Sequence, residues 1–251
     1  MSDIIAQRLR EDGYRRYDQP RMGIIEFTGD HDADELVNDL HEHPHAYVIA
    51  CIADRQVPSK VAWILPLRLR ERIGTFEFSD LSEMTEDDWI TIMLGPPVLH
   101  RFAKDIGICI HEALALINKK YGGHAASIWS DNPESATLVK RFLEFRGVGP
   151  KIAGMAANIL VQAFRVDVVN KSGIDATVDT HNRRVMKRLG LVGEDASDTV
   201  IVKHARTMNP EYPGIIDMPL WHIGTQFCKP KNPLCDDCPM GDVCMKVSSG
   251  V

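Results

Sequence analysis

Apolar residues recur along most of this chain with a period near 3.6, and the most regular stretch is broken once. Residues 135–145 and 150–164 both place apolar side chains at the i, i+3 and i+4 spacing of a helix face, and Gly147-Val148-Gly149 separates them. Glycine reaches backbone angles that other residues avoid, so the pattern predicts helix, tight hairpin, helix. Pro150 stands where the second helix begins, at a position whose missing N–H costs nothing because the first amides of a helix have no intrahelical acceptor. The hairpin and helix start then present N–H groups together, an arrangement that attracts a phosphate of a nucleic-acid backbone.

The flanking pattern is also helical. Residues 1–30 read as an extended or irregular arm with one short helix or strand at most, and 31–43 as a short acidic helix. The run from Pro44 to Ala53 is apolar enough for a buried helix. Residues 58–73 are amphipathic, with Trp63 and Leu65 inward, Arg68, Arg70 and Arg72 outward, and a kink at Pro66. A linker then leads to a helix opened by Thr85 with acids in its first turn. Beyond the turn Gly95-Pro96-Pro97 a long helix is expected over 98–120, followed by helices over 179–190, 196–208 and from 214 into the tail. No strand-rich segment or internal repeat stands out, which makes the chain all-α.

Charge changes this picture in one place. The net charge is −6, which argues against a simple nucleic-acid binder, since phosphate contacts need cations. Residues 138–190 nevertheless hold ten Lys or Arg against four acids, a local net of +6. A basic face on an acidic protein suits DNA and equally an ordinary solvated surface. No apolar run approaches membrane-spanning length, and the opening MSDIIAQRLREDG has acidic residues and no signal-peptide core. The expected location is therefore cytoplasmic or nuclear, with no secretion and no membrane partner.

Six cysteines occur, and four crowd the tail: Cys228, Cys235, Cys238 and Cys244, spaced C-x6-C-x2-C-x5-C. Without an export signal, clustered cysteines point to metal and not to disulfides. Four thiolates can hold zinc or an iron–sulfur cluster, and spacing alone leaves both open. Cys51 and Cys109 lie in apolar helical runs and read as buried thiols. His100 and His111 have no partner at helical ligand spacing and read as core or surface histidines.

Lys151 falls in the first turn after the glycine hairpin, where the positive end of the helix dipole disfavours a protonated amine. A neutral lysine amine is a nucleophile able to form a Schiff base with a sugar carbon. A lone lysine in this position is more often a solvated contact to phosphate. Asp179, in Val178-Asp179-Thr180-His181, reads as a helix N-cap. Beside an amine nucleophile, the same carboxylate would assist deprotonation and stabilise positive charge developing on a sugar ring.

FRGVGPKIA, VDTH and the cysteine tail together resemble the helix-hairpin-helix DNA glycosylases, specifically the endonuclease III branch with its iron–sulfur cluster. The resemblance runs over roughly 44–246 and is loosest between 57 and 132. It departs from the family pattern in two places. Phe145-Arg146 stands where a leucine-proline pair is usual, and Lys151 and Asp179 are 28 residues apart, the excess lying in VDVVNKSGIDATVDT.

The resemblance implies a two-lobed all-α fold with a C-terminal cluster loop over 228–244. It implies a central lobe of 57–165, and a second lobe of 31–56 with 166–251, beyond the arm 1–30. It assigns the four cysteines to a 4Fe-4S cluster and Lys151 and Asp179 to catalysis. Gly147 and Gly149 would give amides to a DNA phosphate, and Lys229 and Lys231 would meet the backbone from the cluster loop. Gln56, twelve residues after Pro44, would fill the gap left by an extruded base, and Leu99 or its neighbour Val98 would wedge into the duplex.

The implied activity is base excision from duplex DNA holding a damaged, modified or mismatched base, by a monomer with abasic-site lyase activity. Oxidised pyrimidine is the family default. Two alternatives stand beside it: a monofunctional glycosylase that uses water, whose relatives commonly carry Ser or Tyr at the position of Lys151, and a non-catalytic iron–sulfur DNA-binding module.

Overall fold

The computed structural model describes residues 2–20 and 23–245. The last residues of the expected second lobe, 246–251, lie outside them. In chain order the α-helices are α1 (Ser2–Asp18), α2 (His31–Asn38), α3 (Pro44–Ala53), α4 (Ser59–Trp63), α5 (Leu65–Ile73), α6 (Phe78–Glu83), α7 (Glu86–Leu94), α8 (Ala103–Tyr121), α9 (Ser135–Leu143), α10 (Pro150–Gln162), α11 (Thr180–Arg188), α12 (Asp198–Met208) and α13 (Asp217–Gln226). No strand occurs among the described residues. The chain divides into two compact units, one of residues 22–133 and 140–156, the other of 1–21, 134–139 and 157–251.

The first unit is built around α3, every residue of which is buried. A helix apolar on all sides has to be surrounded, and α2, α4, α5 and α8 pack on it. Tyr47 sets its ring among Trp63, Trp129 and Phe142 and donates its hydroxyl to Ala156 O at 2.7 Å. This differs from the expected division, which placed 31–56 apart from 57–165. An all-apolar α3 makes the centre of a core, not the edge of another lobe.

Thr85 caps α7 in a full capping box with Asp88, as its first turn predicts. The expected linker before it contains the short helix α6, and the kink at Pro66 is a break at Ile64 between α4 and α5. Arg72 is half-buried instead of outward. Its guanidinium gathers the carbonyls of Ile92 (2.5 Å), Gly95 (3.0 Å) and Pro97 (2.7 Å). The chain from 95 to 102 stays a tied-down loop, and α8 begins at Ala103 and not at residue 98.

In the second unit the N-terminal arm is a 17-residue helix, where the sequence reads as irregular. Ile5, Ala6 and Leu9 form its buried stripe, while Asp12 pairs with Arg15 and with Arg16, one helical turn away. α1 packs on α13, and Arg10 donates to Met208 O at 2.7 Å.

The segment 165–177, long for the resemblance, is tied down at both ends. The Arg165 guanidinium lies 4.4 Å over the Tyr17 ring and reaches Gln19 O at 3.0 Å. Gly173 N–H donates to Ser135 Oγ at 2.9 Å, and Asp175 takes a bidentate pair from Arg206 at 2.6 and 2.8 Å.

Candidate active site and iron–sulfur loop

The glycine hairpin forms as the pattern requires, but its two glycines do different work. Gly147 is left-handed, with φ +84°, and a Cβ there would stand 3.0 Å from Arg55 Nη1 and 3.1 Å from Cys109 Sγ. Gly149 has an ordinary φ, and a Cβ on it would meet no atom within 4 Å. The fold therefore needs the first glycine, while the second leaves open space in front of the helix start. Ala153 N–H bonds Gly149 O at 2.9 Å, so α10 begins at the hairpin itself.

Lys151 is on the first turn of α10, its side chain about half exposed. Its Nζ stands 3.9 Å from Asp54 Oδ2, a carboxylate that is only 11% exposed. Asp54 caps the end of α3, and nothing in its own sequence neighbourhood signals Lys151. Arg55, the next residue, runs beneath Gly147 and is fixed by Asp105 at 2.6 Å. Phe145, in the place of the family's leucine-proline pair, is buried against Phe142, and Arg146 pairs with Glu112 at 2.6 Å.

Gln56 is exposed in the turn after α3, in a left-handed conformation with φ +55°. The loop 95–102 is tied to the end of the same helix, because His100 Nε2 donates to Ala53 O at 3.0 Å while its Nδ1 accepts Phe102 N–H. Burial lowers the His100 pKa and keeps it in this neutral form. Leu99 is half-buried in that loop, its amide bonded to Met93 O at 3.1 Å, whereas Val98 is 59% exposed. Neither opens α8, which was the expected setting.

The remaining candidates lie in the second unit. Asp179 is the N-cap of α11, in extended conformation, and its Oδ1 accepts Asn182 N–H at 2.7 Å. Lys151 and Asp179 thus belong to different units. The other end of α11 holds the cysteine loop. Arg184 donates to Cys228 O at 2.6 Å and Gly224 O at 2.8 Å. Arg188 reaches Cys228 Sγ at 3.5 Å, Lys229 O at 2.6 Å and Pro230 O at 3.1 Å, and its own carbonyl lies 3.3 Å from Cys244 Sγ.

The loop closes on itself at Gly241, where a Cβ would fall 2.5 Å from Cys235 O. The four thiols are close enough to act on one another: burial pushes the Cys238 thiol up, and Cys228, Cys244 and Cys235 add to the effect. Among the described residues no three His, Cys, Asp or Glu gather as the ligands of one metal ion would. Four thiols on one self-closed loop fit an iron–sulfur cluster, which takes four cysteine thiolates.

Lys229 is half-buried and donates to Thr225 O, while Lys231 is exposed. The basic stretch 138–190 does not present ten free cations. Arg141 is bidentate to Asp131, Arg146 is paired with Glu112 and Arg183 with Asp198, and Arg184 and Arg188 are spent on carbonyls.

The family description "Iron-sulfur binding domain of endonuclease III" matches residues 228–244, and the four cysteines hold a 4Fe-4S cluster. Over 205 residues the chain is 28% identical to Endonuclease III-like protein 1 of Gallus gallus, covering 78% of this chain and 62% of that protein. Over 140 residues it is 25% identical to Adenine DNA glycosylase of Mus musculus, covering 54% and 24%. The chain thus spans less than two thirds of the length of these relatives. Among solved structures it superposes on "Structure of a Trapped Endonuclease III-DNA Covalent Intermediate: Estranged-Adenine Complex" with a TM-score of 0.64 at 19% identity, covering 98% of this chain and 97% of that one. At that identity the likeness is one of fold.

Proposed function

We propose that this chain is a DNA glycosylase of the helix-hairpin-helix, endonuclease III-like kind, which it resembles in its hairpin, its iron–sulfur loop and its fold, and that it excises a damaged or modified base from duplex DNA and then cleaves the abasic site. The observation that carries this reading is Lys151, a half-exposed amine on the first turn of α10, beside a glycine with open space before it and facing the Asp54 carboxylate.

The target nucleotide is turned out of the stack, and the hairpin amides at 147 and 149 take a backbone phosphate. The Lys151 Nζ lone pair attacks C1′. The glycosidic C1′–N bond breaks, and the base leaves with the bonding electrons and takes up a proton. Asp179 stabilises positive charge on the sugar and assists removal of the amine proton. Ring opening gives the Schiff base, and loss of a C2′ proton expels the 3′ phosphate with cleavage of the C3′–O bond. Gln56 and the 98–99 loop fill the space the base leaves, and Lys231 meets the backbone. The four cysteines would hold the cluster, which would fix the shape of the loop 228–244.

Oxidised pyrimidine is the first base class to test, on a monomeric enzyme. The likeness to an adenine DNA glycosylase supports a second reading, a monofunctional enzyme that uses water. Borohydride trapping on duplex DNA with a preformed abasic site separates the two. Wild type should form a covalent adduct that Lys151→Ala loses entirely and that Asp179→Asn forms at least about a hundredfold more slowly with DNA binding retained. No adduct with wild type would leave the monofunctional reading.

A further inference from the structure

Asp217, the first residue of α13, carries a carboxyl that faces three buried residues, Asn158, Thr177 and Asn182. Its Oδ1 accepts Thr177 N–H at 2.8 Å and Asn182 Nδ2 at 2.6 Å. Its Oδ2 stands 3.4 Å from Asn158 Nδ2. Asn182 is held from both ends. Its side-chain amide bonds Asp217 and Thr177 O at 2.8 Å, and its backbone N–H is the donor to Asp179 Oδ1. Residues 177–182 therefore form a closed ring of hydrogen bonds with Asp217 as its anchor and Asp179 on its rim.

We propose that Asp217 is the positioning residue for Asp179, fixing through Thr177 and Asn182 the turn that aims the Asp179 carboxylate. The inference rests on the reading of Asp179 as the assisting carboxylate. A buried acceptor that serves two buried donors is costly to remove, because both donors then lose their partner. The anion is also an uneconomical choice for mere packing, since burial and the nearby Asp179 charge push its carboxyl up to about 7. Asparagine would keep an acceptor oxygen in the position of Oδ1 without a charge to bury.

Two measurements test this. The first is amide hydrogen exchange in the full-length, cluster-loaded protein. Asp217→Ala should speed exchange of the Asn182 amide at least tenfold, with α12 unchanged, and Asp217→Asn should restore protection to within about threefold of wild type. Unchanged Asn182 protection in Asp217→Ala overturns the proposal. The second is the single-turnover rate of borohydride trapping on duplex DNA with a preformed abasic site. Asp217→Ala should slow trapping ten- to a hundredfold at unchanged DNA affinity, but less than twofold when Asp179 is already asparagine.

A loss of equal size in both backgrounds would mean that Asp217 acts elsewhere, and would overturn the link to Asp179. If wild type forms no adduct, the lyase reading falls by itself, and the exchange measurement still decides whether Asp217 holds the turn.

Discussion

Gly147 and Gly149 are equivalent in the sequence and unlike in the structure. At Gly147 a side chain meets both a positive φ and the Arg55 guanidinium. Gly147→Ala should cost about 1–3 kcal/mol in urea denaturation. Gly149→Ala should leave stability within about 0.5 kcal/mol and weaken binding to abasic-site duplex about tenfold, since its methyl group would occupy the space left for a phosphate. Equal destabilisation by both would show that the hairpin needs two glycines for its own shape. The settings of Lys151, Asp179 and the four cysteines, a first helical turn, a cap and a loop, were legible because each is a local pattern. Asp54, Arg55 and Asp217 were not, because each acts on a residue about forty to a hundred positions away, and no local pattern records that.

Among elements, helices whose stripe or cap is local appear where the pattern puts them: α3, α7, α9, α10, α11 and α12. α1 was missed because its stripe is interrupted by charged residues that pair only once the helix exists. α8 starts at Ala103 and not at 98, after a loop that an arginine some 25 residues upstream holds. That loop yields the element-scale prediction. Arg72→Ala frees three carbonyls and should destabilise the protein by about 2 kcal/mol. It should also speed amide exchange at Leu99 while α3 stays protected. Unaltered Leu99 exchange would mean that the loop holds its shape through His100 alone.

At the scale of the whole molecule, two buried groups, one in each unit, contribute pH dependences of opposite sign. In the first, burial lowers the His45 pKa to about 4, with its Nε2–H bonded to Phe76 O. The unfolded chain takes up the proton first, so stability is lost as pH falls from about 6.5 to 4, by about 3 kcal/mol in full. In the second, Asp217 is raised to about 7. The folded chain keeps that proton longer, so stability is greatest at low pH and is lost as pH rises from about 4 to 7. Denaturation at pH 4.5, 6 and 7.5 should show His45→Gln flattening the acid loss and Asp217→Asn flattening the alkaline one. A wild-type pH slope in either variant would remove that residue from the account.

The arginines bound within the protein have a consequence for how it would look for its target. Arg141, Arg146 and Arg183 already answer to carboxylates of their own chain, Arg184 and Arg188 to carbonyls, and the whole carries −6. Grip on intact duplex comes almost entirely from cations free to displace counterions. Each arginine held by its own chain is one cation fewer for that exchange. If the proposed base excision holds, the protein's visits to intact duplex should be brief, with longer stays where a base can be turned out.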